Sequence, residues 1–367
     1  MSINKKQFLI ITSVMLIFFT ILYYACFFYQ LGSPVKAEWW LKNLYDYKGY
    51  IAEKTKSPKI IIIAGSNALF GINSKIIEKS TKYKVINLAA HAELSIDFLY
   101  QKIKDTMGKG DIIVMPLEGN YYIRNKVSES FVNNMLAWGW EDYLSKLGIS
   151  NLLKFIVSIP KERIYEGILN QNGINPALPK NEVIKSLNKL LAAKGEMFRG
   201  YSYKSLNRYG DFNSVKSPTQ SLLKLKEKGL YYMHDGKICD RFISAYKKII
   251  RLINKNHGRL IITWPVTVRN KAFDLSAPKY QKKMDKRREQ LAEESIQIRC
   301  NPALFNLDVK FFFDTGFHLN MYGTEIRSEN LAYCLRRILN NDGYTDLSYD
   351  EALKKVKRQE LNMLKKI

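Results

Sequence analysis

The sequence predicts an α/β domain with a parallel β-sheet between helical layers, preceded by a transmembrane helix. Two patterns predict this class: short apolar runs that alternate with helical patterns, and one long uncharged segment. The apolar runs are KIIIIA, KVINLAA, DIIVMPL, RLIITWPV and VKFFF, which begin at Lys59, Lys84, Asp111, Arg259 and Val309. Such continuous runs are typical of parallel strands that are buried on both faces.

The uncharged segment comes first along the chain. Residues 8–30 carry no charged side chain and are long enough to span a bilayer. Lys5 and Lys6 precede the span, so the positive-inside rule predicts a cytoplasmic N-terminus. We therefore expect a single-pass protein of the inner (cytoplasmic) membrane, which contacts lipid through this helix and has an extracytoplasmic, periplasmic domain.

Helical patterns separate the apolar runs, and they cover Ser74–Tyr83, Leu94–Met107, Asp240–Asn256, Tyr280–Cys300 and Met321–Leu339. The alternation breaks at about residues 121–235, a stretch rich in Trp, Tyr and Lys that predicts a helical insertion. The resulting organisation is a tail and anchor over 1–30, a linker over 31–57, an α/β domain over 58–345 and a basic C-terminal helix over 346–367. We expect the charges of this last helix to form a solvated face.

Composition and charge narrow the class of partner. The chain has 367 residues and a formal net charge of +24, which favours anionic partners such as phospholipid headgroups or acidic polysaccharide. Nucleic acid is not expected, because the sequence has neither zinc-finger spacing nor an RNP-like aromatic cluster.

The cysteines and histidines show no metal-ligand spacing, so we expect neither a metal nor a cofactor. Cys334 lies within an amphipathic pattern and is expected to be a packed core residue. His234 and His257 are far from the motifs described below and are expected at the surface.

A small hydroxyl follows the first apolar run, where four isoleucines lead into Gly65, Ser66 and Asn67. Two interpretations of this turn are open. In one, Gly65 provides conformational freedom and Ser66 or Asn67 caps the following helix. In the other, the turn holds Ser66 as a nucleophile at a helix N-terminus, where backbone N–H groups stabilise an oxyanion. The turn is neither the G-x-S-x-G elbow nor a phosphate-binding loop.

Asp314 and His318 follow the last apolar run, in the stretch FFFDTGFHLNMYG, and precede the last helical pattern. The carboxyl ends of parallel strands meet at one edge of a sheet. We therefore expect Ser66, His91, Glu118 and His318 to lie at the same edge.

This order of residues resembles the SGNH (GDSL-type) hydrolase superfamily, in which a serine after the first strand pairs with an Asp and a His in a late loop. More narrowly, an anchor followed by such a domain resembles the membrane-anchored SGNH-like proteins of cell-envelope polysaccharide modification, including the DltD-like proteins of teichoic acid D-alanylation. The resemblance covers residues 59–117 and 259–339. It implies a flavodoxin-like three-layer parallel sheet.

The resemblance also implies roles. Ser66 would be the nucleophile, His318 the general base and Asp314 the residue that orients the base. Oxyanion or substrate contacts would fall among Asn67, Ala90, His91, Glu118 and Asn120. The chain departs from the family in three places. Three residues rather than two separate Asp314 from His318, Ala89 or Ala90 stands where the family has a glycine that donates its N–H to the oxyanion, and Glu118 stands where the family has an asparagine.

His91 has two possible roles. It would contact substrate or serve as an alternative base if it faces the serine. Otherwise it is a histidine that is hydrogen-bonded within the fold.

Three function classes remain open. The first is a serine esterase or O-acyltransferase that acts on acyl groups, above all O-acetyl, of cell-surface polysaccharide, with a membrane acyl-donor protein as partner in the case of transfer. The second is a non-catalytic SGNH-like binding or assembly protein of envelope polysaccharide export. The third is a lipid or small-ester hydrolase tethered at the membrane.

Overall fold

The computed structural model describes residues 4–174, 176–193, 200–213, 215, 236–340 and 344–366. The chain divides into two compact units. The anchor unit comprises Met1–Lys42 and Ser128–Ala177, and the sheet unit comprises Asn43–Val127 and Leu178–Ile367. The interval expected as a single insertion is therefore shared between the two units.

Helices account for most of the described chain. They are α1 (Lys5–Tyr29), α2 (Trp39–Lys54), α3 (Ser66–Leu69), α4 (Ser74–Thr81), α5 (Ile96–Thr106), α6 (Gly119–Ile123), α7 (Glu129–Trp138), α8 (Ile149–Val157), α9 (Lys161–Leu169), α10 (Lys180–Ala192), α11 (Asp240–Lys255), α12 (Pro278–Glu293), α13 (Met321–Asn340) and α14 (Tyr349–Leu364). The strands are β1 (Lys59–Ile62), β2 (Lys84–Asn87), β3 (Ile112–Pro116), β4 (Arg259–Thr263), β5 (Thr267–Arg269), β6 (Ile298–Arg299) and β7 (Asn306–Asp308).

The sheet unit contains a five-stranded parallel sheet in the order β2–β1–β3–β4–β6. Ile60 of β1 pairs with Val85 of β2 and with Ile112 of β3, so β1 is a central strand. The isoleucines of β1 are fully buried, as expected for a strand covered on both faces. The prediction of a parallel α/β sheet is confirmed.

The helices cover both faces of the sheet. The chain steps from β1 to β2 in one direction and from β2 to β3 in the other, so right-handed crossovers put α4 and α5 on opposite faces. In agreement, α4 packs against α13, and α5 packs against α11. The sheet therefore lies between two helical layers.

The fifth strand is not where the sequence predicted it. Residues 309–311, the start of VKFFF, form a 3-10 turn in which the Asp308 side chain accepts a hydrogen bond from the Lys310 N–H. The consecutive Phe311 and Phe312 are both fully buried. In a strand, two consecutive side chains point to opposite faces, so both are buried only where both faces are covered. The fifth strand is β6 (Ile298–Arg299), within the stretch predicted as the end of a helix. The prediction missed it because two residues carry no periodicity.

The other predicted helices occur close to their expected bounds. For example, α4 ends at Thr81 because Lys82 adopts a left-handed conformation with φ of 67°. The C-terminal helix α14 begins with a capping box formed by Ser348 and Glu351. One face of α14 is buried, with Leu353 and Val356 inward, and Glu360 on this face pairs with Arg269. Other charged residues, such as Lys354, Lys357 and Arg358, are exposed.

The interval 121–235 is helical where the structure describes it. It holds α7 to α10 and most of α6, and its described residues contribute no strand to the main sheet. Residues 214 and 216–235, including His234, lie outside the described residues. His257 is exposed, as predicted. The stretch 31–57, expected as a linker, contains α2.

Cys334 was expected to be a packed core residue, but it forms a disulfide with Cys300. Both cysteines are fully buried. The bond joins the segment after β6 to α13, across 34 residues of sequence. Sequence spacing could not reveal this pairing, because it depends on where the end of β6 meets α13.

The anchor unit contains the N-terminal helix. Within the described residues, α1 is the one helix long and apolar enough to cross a membrane, with a mean hydropathy of 2.3 over its most apolar stretch. Asn4 and Gln7 form a capping box at its start. Most of its apolar side chains are exposed, for example Leu16 at 68%, as expected for a helix whose solvent is lipid.

Candidate active site

Ser66 lies immediately beyond the carboxyl end of β1, at the first position of α3. Gly65 occupies the N-cap position, and no side chain caps the helix. Ser66 is 8% exposed, and no described residue forms a hydrogen bond with its hydroxyl. The interpretation of Ser66 or Asn67 as the helix cap is therefore wrong.

Gly65 is required by close packing at this turn. A Cβ at this position would lie 2.7 Å from the Cα of Ala92 and 2.5 Å from Glu118 Oε1. The loop after β2 therefore passes directly beside the Gly65–Ser66 peptide.

Asp314 and His318 form a hydrogen-bonded pair. His318 Nδ1 lies 2.7 Å from Asp314 Oδ1. The turn between them closes because the Phe313 N–H donates to the His318 carbonyl at 2.8 Å. The three intervening residues therefore do not prevent the pairing, and Nε2 remains as the second ring nitrogen of His318.

Phe70 connects His318 to the serine. The Phe70 and His318 rings stack with centroids 4.0 Å apart and planes 16° apart. Phe70 ends α3, and its N–H donates to the Ser66 carbonyl at 3.0 Å. The imidazole therefore stacks on a residue whose backbone lies one helical turn from Ser66. The structure has no hydrogen bond between the Ser66 hydroxyl and His318.

Tyr201, which sequence reasoning missed, completes this cluster. Its hydroxyl donates to Asp314 Oδ2 and lies 3.2 Å from His318 Nδ1. Tyr201 precedes Asp314 by 113 residues and lies in the predicted insertion, so no local motif could have identified it. A residue of the predicted insertion therefore belongs to the candidate site.

The cluster shifts the pKa of both acidic groups. Burial alone would raise the pKa of Asp314, but the hydrogen bonds from His318 and Tyr201 outweigh it, so the pKa is lowered. Burial, followed by the bond to Asp314, raises the pKa of Tyr201 well above its ordinary value. Asp314 is therefore the ionised partner and Tyr201 the donor.

Glu118 follows β3 and faces the backbone of the serine turn. Its carboxylate accepts hydrogen bonds from the Gly65 N–H at 3.2 Å and the Asn67 N–H at 3.1 Å. Glu118 is 2% exposed. It acts as an acceptor that holds the start of α3, and the two N–H groups are not open to an oxyanion in this conformation.

Asn67 and Arg327 support α3 from the other side. Asn67 Nδ2 donates to the Pro116 carbonyl at 3.0 Å, and both terminal nitrogens of Arg327 donate to Asn67 oxygens. Burial lowers the pKa of Arg327 to about 9, although Glu118 acts in the opposite direction. The Asn67 side chain is therefore a structural anchor of the turn.

Of the remaining expected contacts, Ala90 lies in the loop after β2, and Asn120 of α6 contacts the same loop. The Ala90 N–H donates to the Ala64 carbonyl at 3.2 Å, so it is not open to an oxyanion. Asn120 Nδ2 donates to the Ala92 carbonyl at 3.4 Å. The N–H groups of Ser66 and Ala92 have no acceptor among the described residues. They replace Ala90 as candidate oxyanion donors beside Gly65.

His91 lies on the same loop and is half-buried. Its Nδ1 accepts a hydrogen bond from the Glu93 N–H at 3.3 Å, and its carbonyl accepts one from Tyr121 at 3.4 Å. The first contact holds the imidazole against its own loop, and the second joins the backbone of the loop to α6.

The described residues contain no group of three or more His, Cys, Asp or Glu side chains that could hold a metal ion. No family model matches the sequence, and a comparison with curated proteins finds no match.

Proposed function

We propose that this chain is a membrane-anchored SGNH-type serine esterase or O-acyltransferase that acts on O-acetyl or other acyl groups of cell-surface polysaccharide. One observation carries the proposal: Asp314 holds Nδ1 of His318, whose ring stacks on Phe70 one turn from the unpartnered Ser66 hydroxyl. A paired carboxylate and imidazole together with a nearby serine are the residue types of a Ser–His–Asp hydrolase.

The sheet topology supports the SGNH assignment. Counted along the main sheet, the strand order 2-1-3-4-5 is that of flavodoxin-like folds. Ser66 follows the carboxyl end of β1 and Glu118 that of β3, which is the edge where such folds bind ligands.

The chemistry follows from the contacts. Ser66 Oγ attacks the ester carbonyl while His318 Nε2 accepts its proton, and the Asp314 carboxylate stabilises the imidazolium. The Ser66 and Ala92 N–H groups face the developing oxyanion. As the ester C–O bond breaks, His318 gives its proton to the departing alkoxide oxygen, which leaves as an alcohol, and an acyl-serine remains. Water or a sugar hydroxyl takes up the acyl group, which distinguishes the esterase from the transferase.

Two features support an extracytoplasmic location. Lys5 and Lys6 before α1 favour a cytoplasmic N-terminus. The Cys300–Cys334 disulfide is typical of proteins outside the reducing cytosol. The proposed substrate in that compartment is acylated envelope polysaccharide, and a membrane acyl-donor protein would provide the acyl group to a transferase.

A specific observation also favours the second candidate, a non-catalytic polysaccharide-binding or assembly protein. Glu118 already occupies two N–H groups at the serine turn, and Ser66 has no hydrogen bond to His318. Catalytic hydrogen bonds are often long without substrate and tighten in the complex, so the esterase remains the first candidate.

The first prediction separates the two candidates. In the full-length protein, Ser66→Ala and His318→Ala should each lower turnover of a simple acetyl ester by at least about a thousandfold, because triad members act as a unit. The double variant should lose little more than either single variant. A serine-directed acylating probe should label wild type at Ser66.

The matched control is His257→Asn, since His257 is exposed and its φ of 52° is one that asparagine tolerates. It should retain full activity. Absence of labelling at Ser66, together with ester activity that survives Ser66→Ala, would favour the binding protein.

A further inference from the structure

Helix α8 of the anchor unit exposes an apolar stripe. Ile149, Leu153 and Val157 recur at intervals of four residues, which places them on one face of the helix. Their side chains are 81%, 42% and 82% exposed. The adjoining face is buried through Phe155 and Ile156. The stripe is therefore a second apolar face that the fold does not cover.

Helix α9, which follows α8, also exposes apolar side chains. Tyr165 and Leu169, one turn apart, are 63% and 64% exposed, while Arg163 and Ile164 are buried. The same side of α9 also exposes Glu162 and Glu166, so α8 has a continuous apolar stripe whereas the exposed face of α9 is mixed. Exposed apolar surface that recurs in this way marks an interaction surface.

Contacts within the anchor unit place α8 beside the membrane-spanning segment. The Tyr23 hydroxyl of α1 donates to the Ile156 carbonyl of α8 at 2.9 Å. Tyr23 precedes Gln30, the end of the uncharged span, by seven residues, or about 10 Å of helix. Ile156 therefore lies at a level where α1 is still apolar.

Helix α9 lies at the end of the span. Arg163 donates to Gln30 Oε1 at 2.9 Å, and a Cβ at Gly167 would lie 2.5 Å from the same atom. Aromatic rings lie at this level. The ring centroids of Phe28 and Trp140 are 5.6 Å apart, and the side chain of Tyr29 is 54% exposed. Such aromatic belts are typical of the boundary between lipid and water.

We propose that α8 lies in the membrane interface, with its apolar stripe among the acyl chains of the leaflet at the Gln30 end of α1, and that the mixed face of α9 lies beside it at the level of the headgroups. An amphipathic interfacial helix buries its apolar face about 5–10 Å into the headgroup and acyl boundary. That depth matches the level of Tyr23. The exposed Lys154 borders the stripe and is suited to contact phosphate headgroups. This inference rests on the membrane anchoring in the proposed function, but not on its chemistry.

Spin labelling of the full chain in phosphatidylcholine–phosphatidylglycerol vesicles tests this proposal. Single cysteines are introduced as Leu153→Cys and Val157→Cys in a background with Cys26→Ala and Cys239→Ala. Asn151→Cys, on the polar side of α8, is the matched control, and Phe18→Cys reports the middle of α1. Collision of each label with oxygen and with a water-soluble nickel complex is then measured.

We expect the Leu153 and Val157 labels to collide with the nickel complex several-fold less, and with oxygen more, than the Asn151 label. Equal access of the nickel complex to all three positions, with the Phe18 label protected, would overturn the interfacial position and leave the anchor in place. Labels at 153 and 157 that are immobile and shielded from both quenchers would also overturn it and indicate a protein partner. A water-exposed Phe18 label would overturn the anchor as well.

Discussion

At the scale of single residues, Tyr201 gives the candidate site a feature that the resemblance does not supply. Asp314 receives hydrogen bonds from both His318 and Tyr201, and together they lower its pKa against the effect of burial. The carboxylate thus stays ionised to lower pH and continues to orient the imidazole. In the proposed mechanism Tyr201 is a positioning residue, because its hydroxyl contacts Asp314 and His318 and not Ser66.

Replacing Tyr201 by phenylalanine should therefore shift the pH dependence of activity. Loss of one bond that lowers the pKa of Asp314 raises that pKa, and because Asp314 and His318 titrate as a coupled pair, activity on the acid side should fall at a higher pH. The alkaline side should not move. The pH profile of kcat/KM on an acetyl ester measures both limbs.

Tyr203→Phe is the control. Tyr203 lies two positions after Tyr201, and its hydroxyl forms a hydrogen bond with Ser186 and not with Asp314. An acid limb that stays in place in Tyr201→Phe, or moves equally in Tyr203→Phe, would show that Tyr201 does not tune Asp314.

At the scale of elements, the four-residue helix α3 owes its position to neighbours. Such a short helix is not stable by itself. Glu118 holds its first N–H groups, Arg327 holds Asn67, and Thr324 donates to the Phe70 carbonyl at 3.1 Å. These contacts fix the Ser66 turn from strand β3 and from helix α13.

The change Glu118→Gln tests this arrangement. An amide keeps one acceptor oxygen but turns its NH₂ toward an N–H group, so the variant should lose about 1–3 kcal/mol of unfolding free energy. Glu93→Gln is the control, because Glu93 forms a partly exposed pair with Arg124 that should contribute less than about 1 kcal/mol. Denaturation midpoints compare the two. Equal midpoints would indicate that Glu118 does not hold α3.

Helix α2 carries a buried cation. Lys48 is fully buried, and its Nζ donates to the Ala89 carbonyl just beyond β2. Burial lowers its pKa to about 7, although Asp211 acts in the opposite direction. Between pH 7 and the ordinary value of about 10.4, only the unfolded chain binds this proton, so stability rises with pH through that window.

Lys48→Met should consequently stabilise the protein most at pH 7 and below, by about 2 kcal/mol, with the gain shrinking toward pH 10. Denaturation between pH 6 and 10 provides the measurement. Lys59→Met is the contrasting control: it leaves Asp111, 3.0 Å from Lys59 Nζ, without its cation and should destabilise the fold. A pH-independent effect of Lys48→Met would contradict the assigned pKa.

At the scale of the whole molecule, membrane topology and the redox state of the cysteines should both indicate an extracytoplasmic domain. A phosphatase reporter fused to the C-terminus should be active only outside the cytoplasm, and we expect activity because of Lys5 and Lys6. Protein extracted without reductant should contain the Cys300–Cys334 bond. Replacing both lysines by glutamine should reduce the fraction of molecules that have the N-terminus in the cytoplasm. A cytoplasmic reporter with free thiols would contradict the envelope assignment.

The sequence alone determined the features that depend on local patterns. The apolar span, four strands of the main sheet and the helices that flank them follow from periodicity and length, which neighbouring residues in the chain set. The pair of Asp314 and His318 could also be predicted from the sequence, because both residues lie in one short turn.

Only the tertiary structure decided which distant groups meet. The two-residue strand β6 exists because β4 offers it an edge, and VKFFF turns inward because the core accepts two adjacent phenylalanines. Tyr201 reaches Asp314, Glu118 reaches the serine turn, and Cys300 reaches Cys334 across 34 to 113 residues. Hydrogen bonds and disulfides need atoms within a few ångströms, and only the folded chain brings such distant residues together.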